Sequence, residues 1–191
     1  MTPHTAQEAY IQSKPFYDAA IRINFKSRFQ TLVDSYPRID ERVAKENYTI
    51  PLARKMEIVS ELSSAVGIEL KYHKTHGGWW ALAKSYHRND VSLRLEMRQW
   101  VEFFITIRSD EEYYGFSGTL STAWDVLRVL SGDTDALWSG EGTTPTAWCF
   151  DEPSLYHVLR EKFALIAELL QLLPAGSTEG WLKRPERLQL K

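Results

Sequence analysis

Residues 91–108 read VSLRLEMRQWVEFFITIR. Val91, Leu93, Leu95 and Met97 alternate with Ser92, Arg94, Glu96 and Arg98, and Phe103, Ile105 and Ile107 continue on one parity. A helix repeats its faces every 3.6 residues and a strand every two, so this pattern reads as strand. Strict apolar–polar alternation further predicts antiparallel strands with one face packed and the other wet. Only Gln99 and Trp100 separate Arg98 from Val101, without a glycine. The alternation leaves two readings of that junction, a tight hairpin or a bulge in one long strand.

The same period extends outward in both directions. IELKYH at 68–73 sets Ile68, Leu70 and Tyr72 against Glu69, Lys71 and His73. HKTHGGWW at 73–80 then reads as a hairpin turn, with Gly77-Gly78 supplying the positive φ that tight hairpins need, followed by a strand over 79–86. On that strand Trp79 and Trp80 are expected on opposite faces, one in the core and one partly exposed. Arg88-Asn89-Asp90 and Ser109-Asp110-Glu111 mark further turns, and YYGFSGTL supplies a last strand. Residues 68–119 are therefore expected to form an antiparallel meander of about four or five strands.

Helical spacing flanks this region. Tyr17, Ile21, Phe25, Phe29, Leu32 and Tyr36 form one stripe over 14–36, with Pro15 in the first turn, and a short helix is expected over 40–45. Over 51–67, Leu52, Met56, Val59, Leu62 and Val66 are expected to face inward, with Gly67 as the stop. Ser121 is the expected cap of a helix ending at Gly132. A last helix runs from Pro153 to Leu173 behind the acidic pair Asp151 and Glu152. Its apolar residues spread beyond the ~100° stripe of an ordinary surface helix, so it is expected to be sandwiched in the fold or to contact a second chain. The reading is a single α+β domain over 1–191: helical at 14–66, sheet at 68–119, helical with a long loop at 121–173, and a basic tail at 174–191. The helices are expected on one sheet face, leaving the other available.

Composition bounds the function. The chain has 191 residues, 43% hydrophobic and 25% charged, with seven Trp, nine Tyr and eight Phe, an ordinary globular make-up rich in aromatic core material. One cysteine, Cys149, excludes an internal disulfide framework and a cysteine-based zinc site. No signal peptide or membrane span is read, so a soluble cytoplasmic protein is the expectation. The net charge of −2 conceals an asymmetry. Residues 1–108 hold 16 basic and 12 acidic side chains, residues 109–180 hold 3 and 12, and residues 181–191 hold 4 and 1. The tail is therefore expected to dock, anchored by Trp181 and Leu182, with the acidic loop at 133–152 as a candidate surface.

Motifs for chemistry are weak. His73, His76 and His87 do not converge, because an intervening strand of ~3.3 Å per residue separates the first two from the third by about 26 Å. Ser117 in GFSGT lacks the spacing of a nucleophile elbow. Cys149 between Trp148 and Phe150 reads as a buried, inert thiol, not as a partner for His157. Asp133-x-Asp135 with Glu141 lacks the glycine and the length of a calcium loop. Glu96-Met97-Arg98 offers arginine where a strand-borne nuclease motif wants lysine. The sequence implies no metal and no cofactor, and its lean is away from catalysis.

What remains is surface. Lys71, His73, Lys84, Arg94, Arg98 and Arg108 are assigned to the wet sheet face, with Glu69, Glu96 and Glu102 among them. Trp79, Trp138, Trp148 and Trp181 join them as candidate contact residues, since Trp, Tyr and Arg dominate binding hot spots. The expected function is a non-catalytic protein-binding domain, a subunit, inhibitor or immunity-type protein acting through a partner or through self-association. The alternative is a nucleic-acid-associated protein, nuclease-like or accessory, using the Arg/Lys-rich face.

Overall fold

The computed structural model describes residues 5–37, 50–74, 78–86, 89–97, 100–108, 113–133, 146–173 and 181–183, with the backbone alone for 78–86 and 89–90. The expected helix at 40–45 lies outside these residues. Helices α1 (Ala6–Gln12), α2 (Lys14–Arg22), α3 (Phe25–Ser35) and α4 (Leu52–Ala65) precede strands β1 (Lys71–His73), β2 (Gly78–Tyr86), β3 (Asn89–Met97), β4 (Val101–Arg108) and β5 (Phe116–Thr119). Helices α5 (Leu120–Leu130) and α6 (Glu152–Leu172) follow. The architecture is α+β, as the sequence predicts, and no helix among the described residues is long and apolar enough to cross a membrane.

The five strands form one antiparallel sheet in chain order, β1-β2-β3-β4-β5. Met97 pairs with Val101, so the junction between β3 and β4 is a hairpin and not a bulge in one strand. His73 pairs with Gly78, so β1 and β2 also run antiparallel as neighbours. Val91, Leu93, Leu95, Phe103, Ile105 and Ile107 are all buried on one face. Over that face lie α5 and α6, which contribute Trp124, Val126, Leu159, Phe163 and Ile166 to the same core. Phe103 meets Phe163 edge to face at 5.0 Å. Helix α6 is sandwiched, being buried along Leu155, Val158, Leu159, Leu165, Leu169 and Leu170.

Three helical expectations are corrected. The stripe over 14–36 is two helices, because Asn24 adopts a left-handed conformation (φ 55°) that asparagine tolerates better than most residues. The break turns Ile21 outward, 57% exposed, while Phe16, Tyr17, Phe25 and Phe29 are buried. On α4 the inward face is Ile58, Val59 and Leu62, and Leu52 and Met56 are exposed. The cap of α5 is Thr119, whose Oγ1 accepts from the Thr122 N–H at 3.0 Å, and Ser121 lies buried two residues on, in the first turn. Helix α1 carries a signal that the periodicity did not use, the capping box of Thr5 and Glu8.

Other terminators follow the sequence closely. Gly67 and Gly132 end α4 and α5 at φ +72° and +75°, where a Cβ would be strained. Asp151 caps α6 by accepting the Ser154 N–H at 2.9 Å. At the other end of the chain Trp181 is buried, and the Tyr114 N–H donates to the Leu182 carbonyl at 2.9 Å. The described part of the tail, 181–183, thus docks beside the chain entering β5. Residues 134–145 and 184–191 lie outside the description.

Candidate functional site

Cross-strand register defines the second face of the sheet. Lys71, Trp80, Arg94, Phe104 and Thr119 occupy one row across all five strands. Ser92, Thr106 and Ser117 occupy the next. It is the face opposite the one that α5 and α6 cover. Lys71 and Arg108 are exposed, while His73, Arg94, Glu96 and Phe104 are half-buried. The Arg94 guanidinium lies 4.1 Å from the Phe104 ring centroid and is paired with the Glu96 carboxylate. Ring and carboxylate together hold the guanidinium in place, each such contact at a partly exposed site being worth about 0.5–1 kcal/mol. Ser117 is part of this face, its hydroxyl 3.3 Å from that of Thr106.

The register also revises the expected membership of the face. A bulge between Ala81 and Lys84 shifts the parity of β2 by one, so Lys84 stands across from buried Val91 and not in the Arg94 series. Trp79 stands across from buried Leu95, and Trp80 is the tryptophan in the Arg94 row. The side chains of these β2 residues, with Arg98, Trp138, His76 and His87, lie outside the description. Trp148 and Trp181 are placed, and both are buried, 4% exposed. Trp148 bridges Trp100 with ring centroids 5.6 Å apart, and its N–H donates to the Tyr36 carbonyl at 2.9 Å. Their aromatic faces belong to the fold.

Glu102 departs furthest from its expected place. It stands opposite Glu96 in the register, the parity of the open face, yet it is 8% exposed. Strand β5 ends at Thr119 opposite Phe104, and the chain then turns into α5. Ser121 therefore occupies the place of a next strand residue, and its hydroxyl donates to the Glu102 carboxylate. The same carboxylate accepts the Phe103 N–H at 3.1 Å and lies 3.9 Å from the Lys162 ammonium of α6. The carboxylate is thus drawn around the sheet edge into the interior, which offsets the loss of Lys84 from the open face.

Lys162 is the centre of this buried polar node and was not singled out in the sequence. It is 0% exposed and lies 5.1 Å above the Phe29 ring. Its ammonium donates to the Val101 carbonyl and to Thr146 Oγ1, the latter at 3.2 Å. Burial pushes its pKa down, against the attraction of Glu102. A readable signal existed: Lys162 falls three residues after Leu159 and four before Ile166, inside the buried stripe of α6. Nearby Cys149 is buried, and desolvation pushes its thiol up to about 12, the opposite of what a thiolate nucleophile requires. His157 lies against the Tyr36 ring, 5.6 Å between centroids. No group of three or more His, Cys, Asp or Glu side chains among the described residues could hold a metal ion.

Compared with protein-family models, curated proteins and solved structures, the chain matches none.

Proposed function

We propose that the chain is a non-catalytic protein-binding domain that acts through an acidic protein partner, in the manner of a subunit, inhibitor or immunity-type protein. The observation that carries this reading is the Arg94–Phe104 stack at the centre of the sheet face opposite α5 and α6. An immobilised arginine beside an aromatic ring is the side-chain chemistry of binding hot spots, and ordering it in advance lowers the entropy lost on association. Lys71 and Arg108 flank the stack with two more cations. Withdrawal of Glu102 removes one carboxylate that would have offset them. Such a face suits a partner that presents carboxylates around an apolar contact.

The test is quantitative affinity capture from the native host with the wild-type chain and with Arg94→Glu/Phe104→Ala. A protein enriched by the wild type should be depleted at least tenfold by the double variant, while circular dichroism and the melting curve report an intact fold. Equal capture by both chains would refute the reading. The flanking cations favour a second reading, binding of single-stranded nucleic acid. Fluorescence anisotropy with an oligonucleotide at stepped salt separates the two. Three phosphate contacts would give a log–log slope of about −2, whereas the protein reading predicts no saturable oligonucleotide binding at any salt.

A further inference from the structure

Away from the sheet, a cleft of about 480 Å³ opens where the break between α2 and α3 meets α1 and the end of α5. That volume lies within the roughly 300–1,000 Å³ range of small-molecule sites. Its apolar wall is made by Ile21, Leu127 and Leu130. Ile21 is 57% and Leu130 36% exposed, an unusual state for two large aliphatic side chains facing the same hollow. We propose that this cleft binds a small amphipathic carboxylate, its apolar body between Ile21 and Leu130 and its anionic head at Lys26.

The charge of the walls sets the class. Lys26 lines the cleft, with its ammonium donating to the Ser131 hydroxyl, and among the described residues no carboxylate lines it. An ammonium has three donors, so Lys26 can keep Ser131 and still bond a bound anion. The first turn of α3, Phe25 to Ser27, also borders the cleft, and its cap residue Asn24 makes no side-chain hydrogen bond to it. The positive end of that helix dipole therefore faces the same space. The C-terminal turn of α5 approaches from the other side. Its carbonyls at Leu127, Arg128 and Val129 already accept the N–H groups of Ser131, Asp133 and Gly132, so they do not confront an anion as bare acceptors. An alcohol would forgo the charge-assisted bond, and an amine would face Lys26 as a like charge.

The test titrates the full chain with octanoate, octanol and octylamine, followed by backbone NMR shifts and calorimetry. Octanoate is expected to saturate one site, with shifts centred on Ile21, Lys26 and Leu130, and to bind at least roughly tenfold more tightly than either control. Lys26→Gln should abolish the preference for octanoate over octanol while octanol still binds. Ile21→Glu, at a solvent-exposed position that leaves the core untouched, should abolish octanoate binding. The proposal is overturned if octanoate fails to saturate, if octanol binds as well as octanoate to the wild type, or if the preference survives Lys26→Gln.

Discussion

Replacing Lys162 with methionine tests whether the buried ammonium is a structural node. Methionine keeps most of the aliphatic stem in its slot between Phe29 and β4, so little packing is lost. Three interactions disappear: the donations to the Val101 carbonyl and to Thr146 Oγ1, and the positive charge 3.9 Å from Glu102. The Val101 carbonyl keeps the Thr146 hydroxyl as a donor at 3.3 Å, so the main cost is that of breaking a buried ion pair, about 3–5 kcal/mol. Glu102 retains the Ser121 hydroxyl and the Phe103 N–H and sits near the sheet edge, which places the variant toward the lower end, about 3 kcal/mol. For a chain of this length that corresponds to a melting temperature lowered by roughly 6–12 °C. Urea unfolding of wild type, Lys162→Met, Glu102→Gln and the double variant forms a thermodynamic cycle. The double variant should be more stable than the sum of the single losses by about 1–2 kcal/mol, because Glu102→Gln removes the charge that Lys162→Met strands. If Lys162→Met unfolds at the wild-type urea concentration, or the losses simply add, the node is not an energetic unit.

Cys149 gives a pH dependence with a definite sign. Its folded pKa of about 12 lies above the ordinary thiol value of 9.0, so its contribution is fully present below pH 9.0 and is lost as pH rises toward 12, by about 4 kcal/mol in all. Tyr17, whose buried phenol is also pushed up, adds a loss beginning near 10, so Cys149→Ala should flatten part of the alkaline decline and leave the remainder. Urea midpoints at about pH 8 and about pH 10.5 check this, and an unchanged slope in the variant would sink it. Gly115→Ala should cost about 1–3 kcal/mol and raise amide exchange along β5. The added Cβ would lie 1.8 Å from the Ile107 carbonyl oxygen, a backbone atom that cannot swing aside. Wild-type stability in that variant would show that the close approach is not required.

What could be read from the residues divides along physical lines. Strands β3 and β4 were legible because one buried face and one wet face impose a period of two on each, whereas the hairpin joining them was not, since Gln99 and Trp100 break that period and carry no turn signal. The stops at Gly67 and Gly132 were legible because each depends on local chemistry. Lys84 was misplaced because a bulge inserts one residue without a compositional mark, and every later residue of the strand inherits the shift. Glu102 was misplaced because its position depends on where β5 stops and on a lysine sixty residues downstream, neither of which alternation encodes. Trp148 was assigned to a contact surface on residue type alone and is buried, whereas the burial of Trp181 is what an anchor of the tail requires.

The chain-order sheet has a kinetic counterpart. Each strand pairs with its sequence neighbour, so every pairing closes a short loop and forms with little entropic delay. The covering layer does not share this economy. Helix α6 meets α2 and α3 from the opposite end of the sequence, and the Arg28–Glu168 pair, 2.7 Å apart, spans 140 positions. During synthesis the meander is therefore complete while the aliphatic face of Leu93, Leu95, Phe103 and Ile105 still lacks α6. That interval, ended only when the last helix emerges, is when this chain most needs protection from its neighbours.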